Sequence, residues 1–435
     1  MAKKTPAEPR RTDFVRHGKL RRSNAWGNAV KVLLTTVLVV GLSGVATAAY
    51  AVWGLMSNVH TVELNNEAST VGAGDQSLDG ELTILLVGSD SRKGQKINDG
   101  EEGELNDVNL LLHVSADHKN ATVVSFPRDL MVPIPSCSGP NGEPDYYPAM
   151  SEQQLNSTLE QGGLPCVART ISQLSGMPIN YAGLVTFDGV IGISNAIGGV
   201  DVCLTQPIVD PATDLDLPAG DNTLVGKEAL QFLRTRHGVG DGGDTSRISN
   251  QQVFMSALVR EMKSADTLSD PRKVYGLAKA AVENVTFSSN MASVPFLQKI
   301  AGTVKDINLD NINFVQYPAS DHPYQTGRLT PDTASAEQLF AVIKSGKPFD
   351  VTGVGQGVEV EGKSGKPTTG APTTPAAPPE GGAPATEAPA TDAPAGGTPA
   401  TPAPTKGPDG KVQLPENITG TKASQQTCSQ GRTVY

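Results

Sequence analysis

An α/β fold is predicted: a layered α/β/α domain on a central mixed sheet, with one N-terminal transmembrane helix before it and a disordered Pro/Ala/Thr-rich linker behind it. Three observations carry this prediction. Between residues 82 and 350, short apolar runs of strand length alternate with longer amphipathic runs of helical period. Residues 32–55 are 24 in number and hold no charge. Twelve of the 32 prolines in this 435-residue chain fall between Pro367 and Pro408.

The order of elements follows from the N-terminus. Residues 1–31 form a basic arm with nine Lys/Arg against two acids, so the net charge of −10 divides into +7 here and −17 in the remainder. An acidic bulk argues against nucleic acid as a partner, because polyanion binding needs net positive faces. The uncharged run 32–55 spans roughly 36 Å as a helix, enough to cross a bilayer. Basic residues crowd before it and none follows until Arg92, so the positive-inside rule puts the N-terminus in the cytoplasm. The expected localisation is the cell membrane, single-pass, with the domain extracytoplasmic. Ala49-Tyr50-Ala51 offers a cleavage site for the alternative, a signal peptide, which exports the domain equally.

After a connector over 56–80, the folded domain is expected over 81–350. Its strand candidates are 83–87 (TILLV), 108–114 (VNLLLHV), 121–126 (ATVVSF), 181–187 (YAGLVTF) and 312–317 (INFVQY). Helix candidates are 167–174, 187–197, 227–233, 246–264, 271–284, 293–304 and 333–344. The segment 351–408, with Pro384, Pro389, Pro394 and Pro399 evenly spaced, cannot bury enough apolar surface to offset its ordering entropy. A strip over 409–435 is expected to return to the domain, pinned by Cys428. All four cysteines lie outside the cytoplasmic arm, as exported disulfides would. Of three connectivities, sequence distance favours Cys137 with Cys166, leaving Cys203 for Cys428.

Charged residues gather at the ends of the predicted strands. ILLV runs into Gly88-Ser89-Asp90-Ser91-Arg92, Asp107 precedes the second strand, and VVSF ends in Pro127-Arg128-Asp129. Sheet edges of this kind are where α/β proteins place ligands. In RTRHGVGDGGDTSRISNQ, Arg234 and Arg236 precede a glycine-rich loop, and Asp244, Arg247 and Gln251 recur on one helical face. Asp244 is a candidate N-cap, and the loop amides with the helix N-terminus favour an anion. Guanidiniums suit bidentate phosphate recognition, and a few carboxylates with substrate phosphates suit magnesium.

These residues, with LNSTLEQGG, FDGVIGISNAIGGVDVCL and LPAGDNTLVGKEALQFLRTRHGVGDGGDTSRISNQQ following in order, resemble the LytR-CpsA-Psr family of cell-envelope proteins in Gram-positive bacteria. The resemblance implies an enzyme, a phosphotransferase that moves a glycopolymer from a polyprenyl-pyrophosphate carrier to a peptidoglycan acceptor. It implies that Arg128, Arg234, Arg236, Arg247 and Gln251 hold the pyrophosphate. Asp90 and Asp107 would hold Mg2+ or Mn2+, and Arg92 and Asp244 would line the same site, so that Asp90, Arg92, Asp107, Arg128 and Asp244 form the catalytic set. The lipid tail would run between the sheet and its helices. One departure is Glu104-Leu105-Asn106, where many members carry an arginine shortly before the aspartate. A non-catalytic, membrane-tethered receptor for polyprenyl-phosphate lipids and a polyprenyl pyrophosphatase are the rival readings.

Overall fold

The structure, a computed structural model, describes residues 25–57, 59–64, 80–91, 95, 103–139, 142–360, 404–407 and 410–434. The chain divides into two units, Met1–Gly54 and Leu55–Tyr435. In the first, helix α1 (Ala25–Met56) contains the stretch Trp26–Gly44, long and apolar enough to cross a membrane. This helix begins before the uncharged run 32–55 and takes in Lys31, whose long side chain suits an interfacial position near a helix end.

The second unit is built from strands β1 (His60–Val62), β2 (Leu82–Ser89), β3 (Asn106–Val114), β4 (Ala121–Phe126), β5 (Tyr181–Val185), β6 (Val200–Leu204), β7 (Gly220–Leu224), β8 (Val285–Ser288), β9 (Ile312–Gln316), β10 (Val358–Val360), β11 (Gly420–Lys422) and β12 (Thr427–Ser429). Its helices are α2 (Thr158–Ser175), α3 (Phe187–Ile197), α4 (Lys227–Arg234), α5 (Asp244–Lys263), α6 (Pro271–Asn284), α7 (Val294–Asp306) and α8 (Thr333–Lys344). Eight strands form one mixed sheet in the order β1-β8-β5-β2-β3-β4-β9-β11. β2, β3 and β4 are antiparallel neighbours, while β5 and β9 flank them in parallel. A second sheet has the order β7-β6-β12-β10.

Alternation along the central strands sorts their side chains to two faces. Leu85, Val87, Leu111, Val124 and Phe126 pack with Ile171 of α2 and Leu339 and Phe340 of α8. Ile84, Leu110, Val114, Val123 and Phe314 pack on the other face with Phe296 of α7, and Met255 and Val259 of α5 lie against them. Three layers result, as the sequence predicts. All five expected strands and seven helices form. Both sheets nonetheless take short strands from the flanks: β1 of the connector 56–80 and β11 of the strip 409–435 join the eight-stranded sheet, while β12 of the strip and β10, within the segment 351–408 expected to be a disordered linker, pair in the second sheet. Each is three residues long, too short for a periodic signal. Most of the proline-rich segment, 361–403, lies outside the described residues.

The disulfides join Cys137 to Cys166 and Cys203 to Cys428, with Cα separations of 5.4 and 4.5 Å. Helix α2 starts well before the expected residue 167 and breaks at Gly162 and Gly163, the latter with φ 64°. A Cβ on Gly162 would lie 2.7 Å from Cys166 Cβ and 2.8 Å from Cys137 Cβ. Glycine is therefore required where the chain passes the first disulfide.

Candidate active site

The carboxyl ends of β2 and β4 and the start of β3 share one sheet edge, because β3 runs antiparallel to both. Asp90 leaves β2 there, its N–H donating to the Leu105 carbonyl (3.1 Å) and its Oδ1 accepting from the Leu105 N–H (2.7 Å). The ladder pairs Gly88 with Val108 and Ser89 with Asn106. Asp107 is thus the extra residue of a β-bulge, a device that re-aims one side chain out of the alternation. Asn106 beside it is fully buried. Its Oδ1 accepts from Thr158 Oγ1 and Leu159 N–H, and its Nδ2 donates to Asn109 Oδ1 and the Leu155 carbonyl. Asn106 thereby clamps the start of α2 against β3.

Arg128, just past β4, donates from Nη1 to Asp107 Oδ1 at 2.8 Å. Its Nε stands 3.7 Å from Asp129 Oδ2 and 3.9 Å from Asp244 Oδ1. Helix α5 brings Arg247 Nη2 to 2.7 Å from Asp244 Oδ1 and Nη1 to 3.9 Å from Asp107 Oδ2. Arg247 Nη2 also donates to the Asp107 carbonyl. Arg236 Nη2 lies 3.7 Å from Asp129 Oδ2, and Arg328 Nη1 lies 2.7 Å from Asp129 Oδ1. One connected network therefore unites Asp107, Arg128, Asp129, Arg236, Asp244, Arg247 and Arg328. Asp129, which also accepts from Gln154, is the hub of the second half.

Asp129 and Arg328 carry no sequence signal that singles them out. Asp129 reads as a turn residue after Arg128, and Arg328 is 199 residues away in sequence. Arg92 lies outside the described residues. Arg234 places its guanidinium 4.8 Å from the centre of the Phe187 ring, a cation–π contact. Gln251 donates its amide to the Leu233 carbonyl (3.0 Å), and Asn250 donates to the Phe232 carbonyl (2.8 Å). They satisfy carbonyls that the end of α4 leaves open and so hold the segment carrying Arg234 and Arg236. The N-cap of α5 is Gly243, not Asp244. Asp241 instead accepts from Gly243 N–H and Ser246 Oγ, which leaves Asp244 turned toward Arg247 as the first helical residue.

Electrostatics at this edge are tightly set. Burial raises the Asp244 carboxyl above its usual range, against the opposing pull of Arg247. Burial by itself would lower Arg128, but Asp107, Asp129 and Asp244 outweigh it and raise the guanidinium further. Several buried polar atoms make no hydrogen bond among the described residues: Nε of Arg128, Arg236 and Arg247, Oδ2 of Asp129, and both carboxylate oxygens of Asp244. The 2.7 Å contact of Arg247 with Asp244 is thus a charge contact without hydrogen-bond direction. Native proteins rarely leave such groups unmatched, so their concentration marks a place built for a polar ligand. Among the described residues no three His, Cys, Asp or Glu side chains form a ready metal cluster. Hard carboxylate oxygens in ones and twos fit a magnesium ion that takes its remaining ligands from water and substrate phosphates.

A profile of the LytR_cpsA_psr family matches residues 51–344. The chain belongs to that family. Among family proteins it is 29% identical over 317 residues to the cell wall biosynthesis protein LcpA of Corynebacterium glutamicum, covering 66% of this chain and 59% of LcpA. It is 25% identical over 272 residues to the polyisoprenyl-teichoic acid–peptidoglycan teichoic acid transferase TagV of Bacillus subtilis, covering 60% of this chain and 64% of TagV. The match thus spans less than two thirds of the length of these relatives. The solved structure of TagT bound to LIIa-WTA shares the fold, with a TM-score of 0.50 and 18% identity over 66% of this chain and 99% of TagT.

Proposed function

We propose that this protein is a membrane-anchored, extracytoplasmic phosphotransferase that moves a glycopolymer from a polyprenyl-pyrophosphate carrier to peptidoglycan. The observation that carries the reading is the cluster of arginines and aspartates at one sheet edge, with three buried guanidinium Nε atoms and three buried carboxylate oxygens lacking hydrogen-bond partners among the described residues. The similarity to TagV, a polyisoprenyl-teichoic acid–peptidoglycan teichoic acid transferase, supports the same substrate class.

Phosphoryl transfer asks a protein mainly for positioning and charge stabilisation. Arg128, Arg236 and Arg247 converge from three elements and would grip the pyrophosphate oxygens, while Arg234 would guard the approach beside Phe187. Asp107, Asp129 and Asp244 hold those guanidiniums apart and aimed, so the ligand meets preset donors. Asp90 and Asp107 would hold Mg2+ or Mn2+, which supplies neutralising charge to the phosphate oxygens. Asp244, with its proton affinity raised by burial, suits the role of accepting the hydroxyl proton of the acceptor. The acceptor oxygen then bonds to the glycopolymer phosphorus, the bond to the bridging oxygen breaks, and polyprenyl phosphate leaves. For the lipid tail, the face of α5 that begins with Asp244, Arg247 and Gln251 continues into Met255 and Val259, beside the half-buried Leu86, Val108 and Leu112.

The test is transfer of a labelled polyprenyl-pyrophosphate-linked glycan to peptidoglycan by the full chain. Arg128→Ala and Arg236→Ala should each weaken lipid binding by a factor of about 10 to 150, the worth of one charge-assisted bond to a group left unpaired. Binding without transfer would support the receptor reading, and pyrophosphate cleavage undiminished by omitting the acceptor would support the pyrophosphatase. Unchanged binding in both variants would sink the site assignment.

A further inference from the structure

The strip 409–435 behind the linker has no role in the reaction as described, yet it lies against the loop that joins the two arginine-bearing helices. Cys428 pairs with Cys203 across neighbouring parallel strands β12 and β6. From there the chain runs along the glycine-rich loop. Gly240 N–H donates to the Gln430 carbonyl (3.1 Å), and Arg432 N–H donates to the Gly238 carbonyl (2.8 Å). Arg432 Nη1 donates to the Asp241 carbonyl at 3.1 Å, and Val239 bridges Gly431. Ser429 Oγ donates to Asn250 Oδ1 at 2.7 Å, and it is Asn250 that holds the end of α4. A Cβ on Gly431 would lie 2.1 Å from the Gln206 carbonyl oxygen and 2.5 Å from that of Pro207. The strip is wedged between that turn and the loop.

The loop needs such support. Gly240 and Gly242 take φ of 52° and 83°, and glycines in this region lose much backbone freedom when they are held. Arg236 precedes them and Arg247 follows, so the separation of two guanidiniums depends on the path of this loop. Ordering it at the moment of binding would cost affinity, which a preorganised loop avoids.

We infer that residues 428–432 are a brace that presets the loop between Arg236 and Arg247 for its anionic ligand, with Arg432 as a positioning residue. The inference rests on the pyrophosphate reading and gives the strip a part in affinity as well as in folding.

The experiment uses the full chain, a chain ending at Ser429 that keeps Cys428 and β12, Arg432→Ala, Arg432→Lys and Arg236→Ala. Hydrogen exchange over residues 236–247 is followed together with calorimetric titration by farnesyl pyrophosphate. Shortening should speed exchange in the loop and weaken affinity about tenfold, in keeping with the sensitivity of sites to small misplacements. Arg432→Ala should show the same changes in lesser degree, and Arg432→Lys should restore both. Arg236→Ala should lose affinity with loop exchange unchanged. If the shortened chain and Arg432→Ala keep wild-type exchange and affinity while Arg236→Ala does not bind, the brace is wrong and the site stands. If wild type itself fails to bind farnesyl pyrophosphate, the site reading fails and the brace with it.

Discussion

Asp129→Asn removes one charge and little volume from the hub of the site. The carboxylate side chain is 3% exposed and faces Arg328 at 2.7 Å, with Arg128 and Arg236 each at 3.7 Å. Breaking a fully buried pair by deleting one partner costs roughly 3 to 5 kcal/mol. Here the three guanidiniums retain 24, 30 and 37% exposure, so water can take up part of their released charge. Asparagine also keeps an oxygen that can accept from Arg328. The expected loss is therefore about 2 to 3 kcal/mol, near the worth of one charge-assisted hydrogen bond, which for a domain of this size lowers Tm by about 4 to 10 °C. Asp214→Asn is the matched control. Its ion pair with Lys227 is also short, 3.0 Å, but the side chains are 83 and 70% exposed, and such pairs contribute little. Scanning calorimetry of both variants beside wild type makes the comparison. Equal melting temperatures for Asp129→Asn and Asp214→Asn would refute the argument that burial makes the Asp129 network a structural charge centre.

Three further outcomes are expected. Burial lowers His113, hydrogen-bonded to Thr83, from 6.5 to about 4. The folded state therefore binds fewer protons, and stability present above pH 6.5 is lost as pH falls toward 4, by up to roughly 1.4 kcal/mol per pH unit; urea titrations across this window should show a shallower loss for His113→Asn. Transfer activity should require magnesium or manganese and vanish in Asp90→Ala with the fold intact by circular dichroism, and turnover that survives chelation would assign the carboxylates another task. Cys428→Ser opens a loop with a sequence separation of 225, for which the chain-entropy model gives an upper limit of roughly 5 kcal/mol. Its Tm should fall and Cys203 should react with a maleimide, whereas an unreactive Cys203 would show that the pairing in solution differs.

What the sequence by itself determined is what local chemistry encodes. Five apolar runs bounded by turns became strands, and seven periodic segments became helices, because burial of one face is written into consecutive residues. The arginines at 128, 234 and 236 were legible for the same reason, since each follows an apolar element or precedes a glycine-rich break, and Arg247 was legible from its helical spacing with Asp244 and Gln251. Only the tertiary structure decided which charges meet. Asp107 faces Arg128 because a bulge turns it out of the ladder, and a bulge depends on the register of two strands, not on either alone. Asp129 becomes a hub through Arg328, a partner 199 residues away, and no local pattern specifies a contact at that separation. The resemblance implies that Gln251 holds the pyrophosphate, and the tertiary structure adds that its amide donates to the Leu233 carbonyl at the end of α4, since packing two helices brings a donor to an open carbonyl. The strands β1, β11 and β12 stayed hidden for a related reason: three residues carry too little apolar surface to signal a strand, and they become one only where a finished sheet offers its edge.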